Sequence, residues 1–448
     1  MKKLNAWLAR ADGGLRTLLL GRSLPGWLLG ICTFAAFFLL MMTRTLKQLT
    51  EATTAARAAA VLLLCLPLAV MLAFVLRLSR NQTGGALTQL GLCALCALAM
   101  LARVSFIERS SGDYDIYLAD WIDRLAAGSF SAGMQANIGE YNVLYQYILF
   151  VITRLGVPAL YAVKAVSFIG DAFLAGAAAK LAGKRNGLLA FGAVLLLPTI
   201  VLNGGMFAQC DSLYAACALW GLVLALDGKP GPSAACFALS LAFKLQSAFL
   251  LPIVIVLWAG GKLRVREALI FLLTLLIVML PALLGGKSLA NILGVYTAQT
   301  GLYTGLNYNA ASFFGLMETA GLDVYAYGNF GLALAFGACA LLVIAGVRRA
   351  QEMTDGETVR LALLMVLLIV FLLPRMHERY FYMAVPLSVA LACRRGGRCV
   401  MAAALIELAL LATCWELAIP LAAASAMMLA AAVLILSDRN CSEDRIVL

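Results

Sequence analysis

Apolar runs of roughly 15–22 residues recur along almost the whole of this 448-residue chain, each close to the length a helix needs to cross about 30 Å of hydrocarbon. A backbone that enters hydrocarbon must satisfy its own N–H and C=O groups, so such runs fold as helices. With 63% hydrophobic and only 13% charged residues, the chain carries more apolar length than a soluble core can bury. The expected fold class is all-α: a polytopic transmembrane helix bundle of about 13–14 spans. Candidate spans are 27–43, 60–76, 86–104, 187–202, 212–226, 232–245, 247–259, 268–284, 328–347, 361–374, 381–393, 399–417 and 420–437. Several are short, which suits a bundle whose irregular backbone lines a cavity. The first 26 residues are basic and broken by Gly13, Gly14 and Pro25; the apolar stretch after them lacks a small-residue cleavage site and reads as a retained first span.

The net charge of +11 does not point to nucleic acid, because the basic residues fall in short clusters between spans and not on one polar face. Lys2 and Lys3, Arg77 and Arg80, Lys262, Arg264 and Arg266, Arg348 and Arg349, and Arg394, Arg395 and Arg398 mark cytoplasmic loops under the positive-inside rule. Both termini then lie inside. The twelve cysteines sit mostly within apolar runs, where a thiol packs as a small hydrophobe, and no disulfide framework is expected. Cys93 and Cys96 lack a second ligand pair or a nearby histidine, so they read as packing and not as a zinc site.

The stretch 141–182 reads as two helices, yet the flanking charges agree only if it changes sides a net odd number of times. Either part of it is re-entrant or interfacial, or Lys180, Lys184 and Arg185 break the charge rule. Four polar segments fall on the outer side: 105–142, 203–211, 285–327 and 375–380, with Lys244 near a neighbouring helix end. In 114–127, Ile116, Leu118, Ile122 and Leu125 alternate with charges as in a helix lying in the interface.

These outer segments hold the residues able to do chemistry. Asp113, Asp115, Asp120 and Asp123 lie within eleven residues. The last two suit the solvated face of an amphipathic helix; Asp113 and Asp115 follow Gly112, where a carboxylate either caps a helix or projects into a cleft as a general base. Asp211 either caps the helix beginning Ser212-Leu213 or faces a ligand beside Gly204 and Gly205. Lys244 and Gln246 interrupt an apolar run, where Lys244 either snorkels to the edge or serves a site. Arg375-Met376-His377-Glu378-Arg379-Tyr380 contains the only histidine of the chain. Two guanidiniums beside an imidazole suit a phosphate. Tyr303, Asn307, Tyr308 and Asn309 either face a ligand or anchor the interface.

On these residues the chain resembles the GT-C superfamily of glycosyltransferases, in particular the bacterial multi-pass family related to the second mannosyltransferase of GPI-anchor synthesis. The likeness covers most of 105–393. Gly112-Asp113-Tyr114 with Trp121 resembles the first-outer-loop motif, Tyr141-Asn142-Val143-Leu144-Tyr145 a Tyr-Pro-Pro-Leu stretch, Gln209-Cys210-Asp211-Ser212 a Gly-Gln-x-Asp-Ser, Lys244-Leu245-Gln246 a Lys-x-Gln, and His377-Glu378-Arg379-Tyr380 a His-Glu-Arg-Tyr. Asn142 and Val143 stand where the family has prolines, and Ala208 where Gly commonly precedes Gln.

The resemblance implies an inverting transfer of a hexose, mannose favoured, from a polyprenyl-phosphate sugar to an acceptor hydroxyl on a lipid, glycan or protein, at the extracytoplasmic face of a bacterial inner membrane. It implies Asp113 as the base, Lys244, His377 and Arg379 at the donor phosphate with Arg375 assisting, and Asp115, Tyr114, Trp121, Tyr141, Gln209, Asp211, Gln246 and Glu378 shaping the pocket. No cofactor is required; a divalent metal is allowed, but no metal-ligand spacing is present. The chain divides on this reading into N-terminal spans (1–104), an outer catalytic loop (105–142), a transmembrane core (143–393) and C-terminal spans with a tail (394–448). A lipid-glycan flippase or transporter is the competing class, although neither mid-span ionisable groups nor an internal repeat stands out. A polysaccharide polymerase or ligase lacks its large arginine-rich outer loop.

Overall fold

The computed structural model describes residues 6–7, 9–14, 26–79, 85–136, 138–139, 141–301, 304–323, 325–415 and 417–438. Lys2, Lys3, Pro25, Arg80, Tyr303 and the tail after Asp438 lie outside the described residues. The chain opens with α1 (Gly26–Thr43), α2 (Thr54–Ser79) and α3 (Ala86–Val104). A π-helical turn at Tyr114–Leu118 then runs into α4 (Ala119–Ala127), followed by α5 (Phe130–Gln135), α6 (Val143–Ile152) and α7 (Ala159–Leu181). Next come α8 (Gly187–Leu196) and α9 (Pro198–Gly205), bent by 50° at Leu197, then α10 (Asp211–Leu226), α11 (Pro230–Phe243), α12 (Ile253–Ala259), α13 (Glu267–Leu284) and α14 (Leu289–Gly301). The two-residue strand β1 (Asn307–Tyr308) precedes α15 (Phe313–Thr319), α16 (Gly328–Arg349) and α17 (Asp355–Leu372). Its partner β2 (Met376–His377) leads to α18 (Ala384–Arg395), α19 (Arg398–Cys414) and α20 (Leu421–Leu436).

The described chain is thus helical save for one strand pair, and six of its helices, α1, α2, α3, α7, α13 and α16, are long and apolar enough to cross a membrane. The bent pair α8–α9 makes a seventh if taken as one span. The other expected spans are shorter or more polar helices. The run 247–259 is divided by a 3₁₀ turn at Leu245–Phe249 and restarts after Pro252, because proline has no N–H to continue the ladder. Short helices survive here because neighbouring helices cover them; α10 buries Tyr214, Leu219 and Leu222.

The side-changing problem of 141–182 has a geometric answer. At about 1.5 Å per residue, the ten-residue α6 extends only about 15 Å, whereas the 23-residue α7 extends about 35 Å. Only α7 is long enough to change sides. Its C-terminal Lys180 lies at the end of the bundle that also gathers Lys262, Arg349, Arg360, Arg394 and Arg395. Arg394 Nε donates to Leu181 O (2.9 Å), Asn186 Nδ2 to Cys393 O (2.6 Å), and Arg395 Nη1 to Asp438 Oδ2 (3.1 Å). Arg360 reaches Ile435 O and Leu436 O at 2.8 and 2.7 Å, and Lys262 lies 3.8 Å from Asp355. The α16–α17 turn is locked there by a capping box, in which Thr354 Oγ1 accepts from Glu357 N while Glu357 Oε2 accepts from Thr354 N, and Arg349 pairs with Glu357 at 2.7 Å.

One charge pair lies deep in the bundle. Arg103 on α3 and Asp171 on α7 are both fully buried, with Nε to Oδ2 at 2.8 Å, and Arg103 Nη1 also donates to Ala99 O and to Leu195 O on α8. The pair ties three helices together, and removing one partner leaves the other charge stranded. Arg103→Met is therefore expected to cost about 3–5 kcal/mol of stability, and adding Asp171→Leu should recover most of it. Thermal unfolding in detergent measures both; equal loss in the single and double variants would show that packing, and not charge pairing, holds this junction.

Candidate functional site

At the opposite end of the bundle from the basic clusters, the outer segments converge on a cleft of about 500 Å³. Each wall is fixed by a local device. The chain leaving α3 is pinned by Lys164 of α7, whose Nζ donates to the carbonyls of Phe106 (2.7 Å), Ile107 (3.2 Å) and Arg109, while Glu108 accepts from Tyr161 and from Lys47 N. A buried ammonium surrounded by carbonyl oxygens replaces its lost water in this way. The pinned loop delivers Asp113 to the cleft, and Ser111 Oγ ties it to Phe207 O at 3.0 Å.

The second wall follows α9. Ala208 takes a left-handed conformation (φ 54°), which glycine adopts without cost and alanine only with strain. That turn lets Gln209 N donate to Asn203 O and Gln209 O accept from Ser167 Oγ (2.7 Å), aiming the Gln209 side chain at the cleft. There Nε2 donates to Asp113 Oδ2 (3.0 Å) and Oε1 accepts from Tyr141 OH (3.2 Å). Asp211 is the first residue of α10 and does not cap it; its Oδ1 lies 2.5 Å from Lys244 Nζ. Lys244 follows α11 in extended backbone, only 13% exposed at its side chain, so it is paired within the protein and does not snorkel. Gln246, in the 3₁₀ turn that follows, also lines the cleft, with a buried Oε1 lacking a hydrogen-bond partner.

The third wall is the segment after α17. Arg375 turns the chain with φ 63° and its N–H donates to Leu306 O at 2.6 Å. Strand β2 then pairs in parallel with β1, Tyr308 opposite His377, and the Tyr308 ring stacks on the imidazole at 4.7 Å and 16°. A 3₁₀ turn at Glu378–Phe381 presents Glu378, Arg379 and Tyr380 to the cleft. Arg379 Nη1 binds Asp113 Oδ2 at 2.9 Å, and its Nε lies 3.3 Å from Glu378 Oε1. Burial, with Arg379 and Lys244 nearby, pushes His377 down to about 4, so its imidazole is neutral at neutral pH. Burial also raises the Glu378 carboxyl above its ordinary range, against the pull of Arg379.

Of the residues picked from sequence, Asp113, Tyr114, Trp121, Tyr141, Gln209, Lys244, Gln246, His377, Glu378 and Arg379 line one cleft, with Asp211 behind Lys244. Two do not. Asp115 is exposed and accepts from Ser110 Oγ at 2.9 Å, because the π-helical turn carries it away from Asp113; Arg375 is exposed at the turn that starts β2. Asp120 pairs with Arg124 one turn on, as a solvated helix face does. Asn307 pairs with Met376, Tyr308 and Asn309 pair with His377, and none of the three lines the cleft. The residues missed are Tyr117, Leu118, Tyr145, Phe207, Ala208 and Tyr380. Tyr117 and Trp121 are four apart, a spacing that signals one helix face, and their rings lie 6.4 Å apart; Tyr141, just before α6, meets Tyr145 on its first turn at 4.9 Å. Among the described residues no three His, Cys, Asp or Glu side chains converge as metal ligands.

No protein-family model matches the chain, and no curated protein matches it either.

Because the chain has a single histidine, its ring is directly observable. ¹⁵N-histidine NMR in detergent should show a neutral imidazole down to about pH 5, titrating near 4. The folded value lies below the unfolded 6.5, so the unfolded chain binds the proton first and acidification from pH 6.5 to about 4 removes stability. A ring titrating near 6.5 would place His377 in open water.

Proposed function

We propose that this protein is a membrane glycosyltransferase of the GT-C superfamily, moving a hexose, mannose first among candidates, from a polyprenyl-phosphate sugar to an acceptor hydroxyl on a lipid, glycan or protein. The observation that carries the reading is one cleft in which a solvent-reachable carboxylate, Asp113, lies beside two cations, Lys244 and Arg379, under a wall of aromatic rings. A lipid phosphate is already a competent leaving group, so the enzyme chiefly needs a base for the acceptor and positive charge where phosphate charge develops. Asp113 takes the acceptor proton, the acceptor oxygen attacks the anomeric carbon from the face opposite the phosphate, and Lys244 and Arg379 hold the departing phosphate. Inversion follows from a single displacement. His377, neutral and stacked on Tyr308, serves the phosphate as a hydrogen-bonding group and not as a third cation. Trp121, Tyr117 and Tyr380 offer flat apolar faces of the kind that pack on a sugar ring.

The separation of the cleft from the basic clusters supports an extracytoplasmic site under the positive-inside rule. It also lets the isoprenoid chain of a donor stay in the bilayer while its head enters the cleft. The direct test is transfer or hydrolysis of radiolabelled polyprenyl-phosphate mannose, glucose and other sugars by the purified protein in nanodiscs. Asp113→Asn should lower kcat by about 10²–10⁴, and Arg379→Gln by about 10²–10³, each with the fold retained. A full-rate Asp113→Asn enzyme would remove the base assignment; absence of turnover and of donor binding for every sugar would shift the reading to lipid-glycan flipping.

A further inference from the structure

The cations of the cleft are already engaged by carboxylates before any substrate enters. Lys244 Nζ sits 2.5 Å from Asp211 Oδ1; Arg379 Nη1 sits 2.9 Å from Asp113 Oδ2, with its Nε 3.3 Å from Glu378 Oε1. Three carboxylates thus face two cations. The neutral imidazole of His377 does not redress the count, and neither do Tyr141, Tyr380 or Cys414 nearby. A sugar phosphodiester brings one more negative charge into a partly dehydrated space, where like charges repel strongly. One carboxylate has to give up its charge for such a ligand to bind.

Glu378 is the carboxylate placed to do so. Asp211 is 2% exposed and holds Lys244 directly, and Asp113 Oδ2 is held by both Gln209 and Arg379. Glu378 makes the looser 3.3 Å contact to Arg379 Nε, lies 3.8 Å from His377 Nδ1 and accepts from its own backbone N–H, in the lining of the cleft. It faces Arg379 and His377 from its own turn, Asp113 from the pinned loop, Asp211 from the start of α10 and Cys414 from the end of α19. Burial and the two aspartates favour its protonated form, while Arg379 and the hydrogen bond from its own backbone N–H oppose it.

Resting on the glycosyltransferase reading, we propose that Glu378 takes up one proton as the donor phosphodiester enters, releasing Arg379 to the phosphate, and passes that proton to the phosphate oxygen as it leaves. The step balances. The bond from the acceptor oxygen to the anomeric carbon forms, the bond from that carbon to the phosphate oxygen breaks, and the acceptor proton goes to Asp113. The Glu378 proton goes to the departing polyprenyl phosphate, which leaves as a monoanion. Solvent then takes the proton from Asp113, and Glu378 is recharged when the next donor enters.

Calorimetry with a non-hydrolysable C-glycoside phosphodiester analogue, in buffers of different ionisation enthalpy between about pH 6 and 8, counts the protons taken up on binding. Wild-type protein should take up about one, with affinity weakening about tenfold per pH unit towards alkaline pH. Glu378→Gln, a fixed neutral mimic, should bind without proton uptake and without pH dependence, keeping KM but losing about 10²-fold in kcat; Glu378→Asp should restore the uptake. Binding by wild type with no uptake, uptake that persists in Glu378→Gln, or binding that requires a divalent cation would each overturn the proposal while leaving the transferase reading intact. Failure of the wild type to bind the analogue at any pH would instead take down the transferase reading, and this proposal with it.

Discussion

A charged side chain that enters hydrocarbon must find a partner there or be carried out to one end, and this requirement sorts every ionisable group in the bundle. Arg103 and Asp171 take the first course and tie α3, α7 and α8 together at a depth where water does not reach. Most other basic residues take the second. Lys180, Arg394, Arg395 and Arg360 gather at one end, where Lys180 pairs with Asp227 and the arginines bind helix-terminal carbonyls and Asp438. The far end is left to the cleft, whose cations are each matched by carboxylates. The contrast between an end rich in basic side chains and a cleft whose cations are paired with carboxylates follows from the same desolvation cost.

The cleft is built on loops, yet its loops are held like secondary structure. Lys164 gathers three carbonyls of the 105–110 turn, Ser167 fixes Gln209, and the two-residue β1–β2 pair sets the orientation of His377. Such anchoring reduces the reorganisation that a reaction would otherwise require, which is where a preformed polar site gains most of its effect. The strained turn at Ala208 belongs to the same design, because it allows one side chain, Gln209, to bridge Tyr141 and Asp113.

Much of this was legible in the residues. Apolar length announced the helical bundle, and the outer polar segments contained thirteen of the sixteen residues that line the cleft. The misreadings share one cause. Asp115 sits two residues from Asp113 and Arg375 two from His377, and nothing in linear order tells which of two such neighbours faces inward; a π-helical turn and a left-handed residue decided it. Asp211 stood in the sequence either as a helix cap or as a ligand-facing group, and Lys244, thirty-three residues away, decided between them as its charged partner.

The sequence by itself determined that the chain is a bundle of apolar helices and that its reactive groups lie between them, since hydropathy and charge act locally and can be read in order. Only the tertiary structure decided which helices are long enough to cross, which carboxylate meets which cation, and that α6 is too short to cross while α7 is long enough. Those outcomes depend on contacts between residues far apart in the chain, such as Arg103 with Asp171 and Asp113 with Arg379, and their energies exist only once the helices have packed.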